Sequence, residues 1–145
     1  VRAFAWLAPV SALPNSRHVY YLYPIKFFGE ILGITRKTFA AAMTAEGFPL
    51  YEGYQKPLYL LPVYQQQRMY ERSQFPFVST EYPQEVSYAK GICPTTERMY
   101  ERELLVTNLC QPPKTKRIID LFATALRKIE DNVGALRDDE KKRQA

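Results

Sequence analysis

HVYYLYPIKFF, residues 18–28, and TRKTFAAAMTAE, residues 35–46, together decide how this chain folds. The first stretch is β-branched and aromatic, and Val19, Tyr21, Tyr23, Ile25 and Phe27 alternate onto one face, which predicts a strand. Tyr20 and Leu22 make the opposite face apolar as well, so the strand calls for cover on both sides, while Pro24 points to a sheet edge or a bulge. The second stretch predicts a helix. Thr35 can cap it, the alanines favour it, Phe39 and Met43 share a face, and Gly47 stops it. Residues 48–54 read as a returning strand weakened by Pro49. A strand, a helix and a returning strand imply an α+β domain: a small, mainly antiparallel sheet with helices packed on one face.

Outward from this unit, residues 1–16 (VRAFAWLAPVSALPNS) are broken by Pro9 and Pro14 and read as a linker arm in which Phe4 and Trp6 need cover. Residues 53–64 (GYQKPLYLLPVY) form an aromatic, proline-containing loop, and residues 65–92 read as loop or short elements. Pro94 suits the first turn of a short helix over residues 94–103, with a short strand over 104–110. Residues 115–133 are the clearest helix, because Ile118, Phe122, Leu126, Ile129 and Val133 make an apolar stripe that reads as core packing. The main domain thus spans residues 17–133, and residues 134–145 read as a charged, solvated tail. RMYER occurs at residues 68–72 and again at 98–102, but the flanks differ and five residues do not make a repeat architecture.

The 145 residues suit a single domain with a real core. A net charge of +5 is spread along the chain with no Lys/Arg block, so nucleic acid is not the expected partner. The 11 tyrosines suggest an interface or a lined cleft as well as a core, since each buries a ring but keeps a polar tip. No apolar run approaches the ~18 residues of a membrane span. Cys93 and Cys110 form no CxxC pair, and His18 stands at no familiar zinc spacing from them, so we expect free thiols in a cytoplasmic setting and no metal site. There is no P-loop, no Gly-rich dinucleotide turn and no nucleophile elbow. Glu46 and Glu52 flank the segment before the loop, but Glu46 closes a helix and reads as solvated. No self-sufficient active site emerges, and the catalytic residues of this chain are expected to be none. With its start at Val1, the chain reads as a domain cut from a larger enzyme.

Four segments, HVYYLYPIKF, ITRKTFAAAMTAEG, GYQKPLYLLPVY and CPTTERMYERELLVTN, occur in that order. Together they resemble the C-terminal small domain of the DegT/StrS family of PLP-dependent nucleotide-sugar aminotransferases, which are fold type I enzymes. That family has a strand of the form His-x-Tyr-x-x-Tyr, a helix ending in Gly, a turn of the form Tyr-x-Lys-Pro-Leu, and a Pro-x-x-Glu-Arg segment opening a late helix. The resemblance covers residues 17–133 and implies a parent reaction: an amino group passes from an amino acid to a keto group on a nucleotide-linked sugar, with PLP as electron sink on a lysine of a large domain. It therefore implies two partners, that large domain and the nucleotide sugar, and no PLP bound to this chain alone; with the large domain missing, the uncovered side of the sheet is expected to be exposed or hidden by a second copy, so a homodimer is expected. The substrate-binding positions carried over are Tyr54, Lys56 and Tyr59, in the loop that also holds Pro57 and Leu58. Lys56 offers a cation for a diphosphate, and the tyrosines offer flat rings and hydroxyls. Many members have His where this chain has Gly53, which removes any imidazole role there. Lys56 reads equally as a solvated cation, and Tyr59 as packing beside Leu58 and Leu60. Arg17 and His18 read as exposed strand-entry residues more readily than as ligands at a domain junction. The alternative function is a stand-alone, non-catalytic module that binds a sugar nucleotide or a protein.

Overall fold

The structure, a computed structural model, describes residues 3–81 and 86–144; the parts of the arm, loop and tail readings that fall on residues 1, 2, 82–85 and 145 lie outside the described residues. Four strands, β1 (Leu7–Pro9), β2 (Tyr23–Phe27), β3 (Tyr51–Glu52) and β4 (Leu104–Thr107), form one antiparallel sheet in the order β1-β2-β4-β3. Six helices accompany them among the described residues: α1 (Gly29–Leu32), α2 (Arg36–Ala45), α3 (Pro62–Gln65), α4 (Pro94–Arg98), α5 (Lys116–Asp131) and α6 (Val133–Gln144). This is the α+β architecture expected from the sequence. None of the described helices is long and apolar enough to cross a membrane.

The core lies between one face of the sheet and the helices α2 and α5. Ile25 and Phe27 of β2 and Leu105 of β4 point into it, and meet Phe39 and Met43 of α2 and Phe122, Leu126 and Ile129 of α5. Helix α2 forms as its sequence predicts. Thr35 Oγ1 accepts from Thr38 N at 3.3 Å, and the helix ends in a complete Schellman pair, Gly47 N to Thr44 O and Phe48 N to Met43 O, both 2.9 Å, with Gly47 at φ 87°.

Four expectations are corrected. The long strand over 18–28 shrinks to Tyr23–Phe27, because Tyr20 takes a left-handed φ of 43° and breaks the extended run; Val19 and Tyr21 are consequently exposed. Pro24 lies in a central strand and not at an edge or bulge, since the β1 ladder begins only at Ile25 and leaves the proline beyond its end. The segment read as a linker arm contributes a strand: Leu7 pairs with Phe27, and Phe4 and Trp6 find their cover in the core itself. The returning strand over 48–54 is reduced to Tyr51–Glu52.

The tail is also more than a solvated segment. Asn132 closes α5 and the chain re-enters a helix at Val133, with Val133 and Leu136 packed on the core. On the same side of α6, Arg137 Nε donates to Leu32 O at 2.7 Å, and the Glu140 carboxylate accepts from Thr35 N at 3.1 Å and from the Thr35 and Thr38 hydroxyls. Helix α2 has no acidic residue in its first turn, so Glu140 supplies the negative charge that its N-terminus favours. Burial works against the Glu140 charge, but the hydrogen bonds from Thr35 and Thr38 together outweigh it and hold the carboxyl below the usual range. A depressed folded pKa gives stability that is complete above the ordinary Glu value of about 4.3 and lost as pH falls through the lower folded value. We expect Glu140→Gln to lower stability by about 1 kcal/mol at neutral pH, the size of a lost helix cap. That difference should close on acidification below about pH 4, as urea unfolding of both proteins at each pH would measure.

Candidate functional site

The loop after β3 begins at Gly53, and the residue must be glycine for two reasons. Its φ is 65°, and a Cβ there would lie 3.2 Å from both the Tyr100 ring and the Tyr100 carbonyl oxygen. Gly53 N donates to Leu104 O at 2.7 Å, which ties the turn to β4. The chain then presents Tyr54, Gln55 and Lys56 to solvent before Pro57 is buried and a turn of 3-10 helix runs over Leu58–Leu60. Pro62 opens α3, the position where a missing N–H costs nothing.

The three sequence-derived site residues separate into two settings. Tyr54 helps line a shallow groove of about 280 Å3 on the sheet face opposite the helices, together with His18, Tyr21, Leu22, Pro24, Leu104 and Val106. Lys56 is exposed two residues further on. Tyr59 is turned to a different task. Its hydroxyl donates to Glu97 Oε1 at 2.5 Å, and the same oxygen accepts from Gly91 N at 2.7 Å. Burial, reinforced by the Glu97 hydrogen bond and charge, pushes the Tyr59 hydroxyl up to about 12. On the carboxylate side, the bonds from Tyr59 and Gly91 outweigh desolvation and hold Glu97 below the usual range. Gln65 Nε2 completes the turn by donating to both Tyr59 O and Tyr88 O at 2.6 Å.

Glu97 was not singled out from the sequence, although the signal was present in CPTTER: a carboxylate placed one turn into a helix opened by Pro94 can reach back to backbone N–H groups before the helix. Of the other candidates, Arg17 is exposed, and His18 stacks on Tyr20 with centroids 4.1 Å apart while its Nδ1 accepts from Tyr20 N at 3.2 Å. Glu46 is held by Lys128 Nζ at 2.7 Å and Glu52 by Arg36 Nε at 3.4 Å, so both carboxylates are engaged in ion pairs. Cys93 and Cys110 are free and exposed, and desolvation pushes the Cys110 thiol up. Among the described residues no group of three or more His, Cys, Asp or Glu side chains could hold a metal ion.

A larger cleft of about 510 Å3 opens beside α1 and the start of α2, with Arg36, Lys37, Arg98 and Arg102 facing Glu30, Glu52, Glu101 and Glu103. Its charges largely satisfy one another. Arg98 pairs with Glu103 at 2.7 Å, and the buried Glu103 Oε2, which accepts no well-directed hydrogen bond, is neutralised by Lys26 Nζ at 3.0 Å. Size alone therefore does not make it the better site. No protein-family model matches the chain, and no curated protein matches it either.

Gly53→Ala tests how the loop is set. Forcing a non-glycine residue into the left-handed region costs about 1–2 kcal/mol, before any crowding against Tyr100. We expect a lower urea midpoint together with displaced amide resonances at Tyr54 and Lys56.

Proposed function

We propose that this chain is the substrate-side, C-terminal domain of a PLP-dependent aminotransferase that acts on a keto nucleotide sugar with an amino-acid donor, and that it needs a separate large domain for turnover. The observation that carries the reading is the asymmetry of the sheet. Helices α2 and α5 cover one face, while the other carries the Tyr54 groove and the loop with Lys56, beside the exposed apolar side chains of Val19, Tyr21 and Tyr51. A sheet face of this kind is suited to resting on another body of protein. Tyr54 and Lys56 would then stand at the junction, one supplying a flat ring and the other a cation for a diphosphate. The ordered resemblance of four segments to the DegT/StrS small domain supports the same reading.

PLP supplies the electron sink for such a reaction when bound as a Schiff base to lysine. The residues here do not fit that task. Every described lysine except Lys26 is exposed, and Lys26 is paired with Glu103, whereas a Schiff-base lysine is set in a desolvated pocket. The cofactor's lysine therefore belongs to the large domain in this proposal. We further propose a cytoplasmic setting, which would keep Cys93 and Cys110 reduced, and that the chain by itself, with no large domain on its open face, forms a homodimer through that face.

Titration with UDP- and dTDP-sugars, followed by NMR, tests the substrate role. Shifts are expected at Tyr54 and Lys56, and Lys56→Ala should weaken binding about tenfold, the effect of losing one hydrogen bond to a charged group. The absence of shifts at millimolar ligand, in this chain and in a chain joined to a large domain, would overturn the reading. Light scattering at micromolar concentration checks the homodimer: a mass near twice that of the chain is expected, and a clean monomer would refute it.

A further inference from the structure

Glu97 is 7% exposed and far from the loop in sequence, yet it is the point where three segments meet. Its own helix α4 holds it in place, Tyr59 Oη donates to it from the 3-10 turn, and Gly91 N donates to it from the preceding turn. Lys56 lies between two fixed points. One is Gly53, whose N–H is bound to Leu104 O, and the other is Tyr59, whose hydroxyl is bound to Glu97. We infer that Glu97 is the positioning residue of the loop, setting where Tyr54 and Lys56 stand by holding Tyr59 as a tether and not as a substrate ligand; its bearing on substrate rests on the function proposed above.

The chemistry explains why a carboxylate stands here. A buried charge is costly unless every strong partner is supplied, and Glu97 receives a hydroxyl and a backbone N–H on the same oxygen. An apolar side chain of the same size would fill the space but would exert no directional hold on a phenol. The hydrogen bond to an ionised acceptor is both stronger and more directional, which is what fixing a loop end requires. Tyr88, Lys90, Cys93 and Glu101 surround the same turn; Gln65 braces it through Tyr88 O, and Lys90 pairs with Glu101, so the tether sits in a turn held on both sides.

The test compares this chain with its Glu97→Ala, Glu97→Gln and Tyr59→Phe variants by 15N relaxation of the backbone amides at residues 54–56 and 58–60, with far-UV circular dichroism as the check on the fold, and with UDP as the binding probe. Glu97→Ala and Tyr59→Phe should make the amides of Tyr54, Gln55, Lys56 and Leu58 mobile on the ps–ns timescale and weaken UDP about tenfold, with the helix content unchanged. Glu97→Gln keeps an oxygen acceptor for Tyr59 and Gly91 and should restore the rigid loop, a rescue that mere filling of space does not predict. If Glu97→Ala fails to fold, Tyr59→Phe removes only one oxygen and carries the same comparison. Rigid amides in Tyr59→Phe would overturn the inference whatever UDP does. A mobile loop in the variants, with no UDP bound by the unaltered chain, would uphold the tether and count against the substrate role.

Discussion

A wedge of three aromatic rings holds the domain together. Phe27 of β2 stacks on Phe39 of α2 with centroids 4.7 Å apart and planes 9° from parallel, and Trp6 meets the two rings edge-on at 6.3 and 5.2 Å. Trp6 Nε1 also donates to Glu130 Oε1 at 2.7 Å, so one side chain joins the first strand's approach, the central strand and both core helices. Truncating a buried Trp or Phe costs about 3–5 kcal/mol, against a total stability of about 5–15 for a domain. The wedge is therefore on the scale of the whole fold, and it explains why a proline-broken apolar segment ends as a strand: Trp6 is drawn into the core, and Leu7, Ala8 and Pro9 follow it onto the edge of β2.

From that wedge a continuous set of contacts leads to the loop. Arg36 stands at the start of α2, three residues before Phe39, and its Nη1 donates to Met99, Tyr100 and Leu104 carbonyls at 3.3, 2.8 and 3.1 Å. Those carbonyls belong to the widened π-helical turn Met99–Glu103 and the first residue of β4, so one guanidinium ties the start of α2 to both. Leu104 O also accepts from Gly53 N, so the carbonyl that Arg36 grips is the one that starts the loop. The placement of Tyr54 and Lys56 is thus inherited from the packing of α2 on the sheet, and not only from the loop's own residues.

Local signals made the helices legible in the sequence. The Thr35 cap, the Gly47 stop and the apolar stripe of α5 all act within a few residues, and the structure carries α2 and α5 within a residue or two of the boundaries they imply. What could not be read depends on partners distant in the chain. Trp6 is 124 residues from Glu130, and Glu140 is 105 from Thr35, so neither the edge strand nor the docked tail has a local signature. RMYER shows the same limit directly. At residues 68–72 it lies in a turn, with Tyr70 bridged to Ser73, and at 98–102 it is helical, where Pro94 starts the turn and Arg36 closes it. In the candidate site, the aromatic loop was legible by composition, but the division of labour within it was not. Tyr54 and Tyr59 look alike in sequence, and only the position of Glu97 separates an exposed ring from a tethered one.

The two ends of that tether titrate away from one another. Burial and the bond to Glu97 push the Tyr59 hydroxyl up to about 12, while the bonds from Tyr59 and Gly91 hold the Glu97 carboxyl below its usual range against the cost of desolvation. An ordinary Glu ionises near 4.3 and an ordinary Tyr near 10, so each shift widens the interval in which the phenol is a donor and the carboxylate an acceptor. Across the whole neutral range neither partner changes state, and the loop end behaves as a fixed mount and not as a pH switch. Any pH dependence of ligand binding near neutrality would then have to come from the ligand or from groups outside this pair.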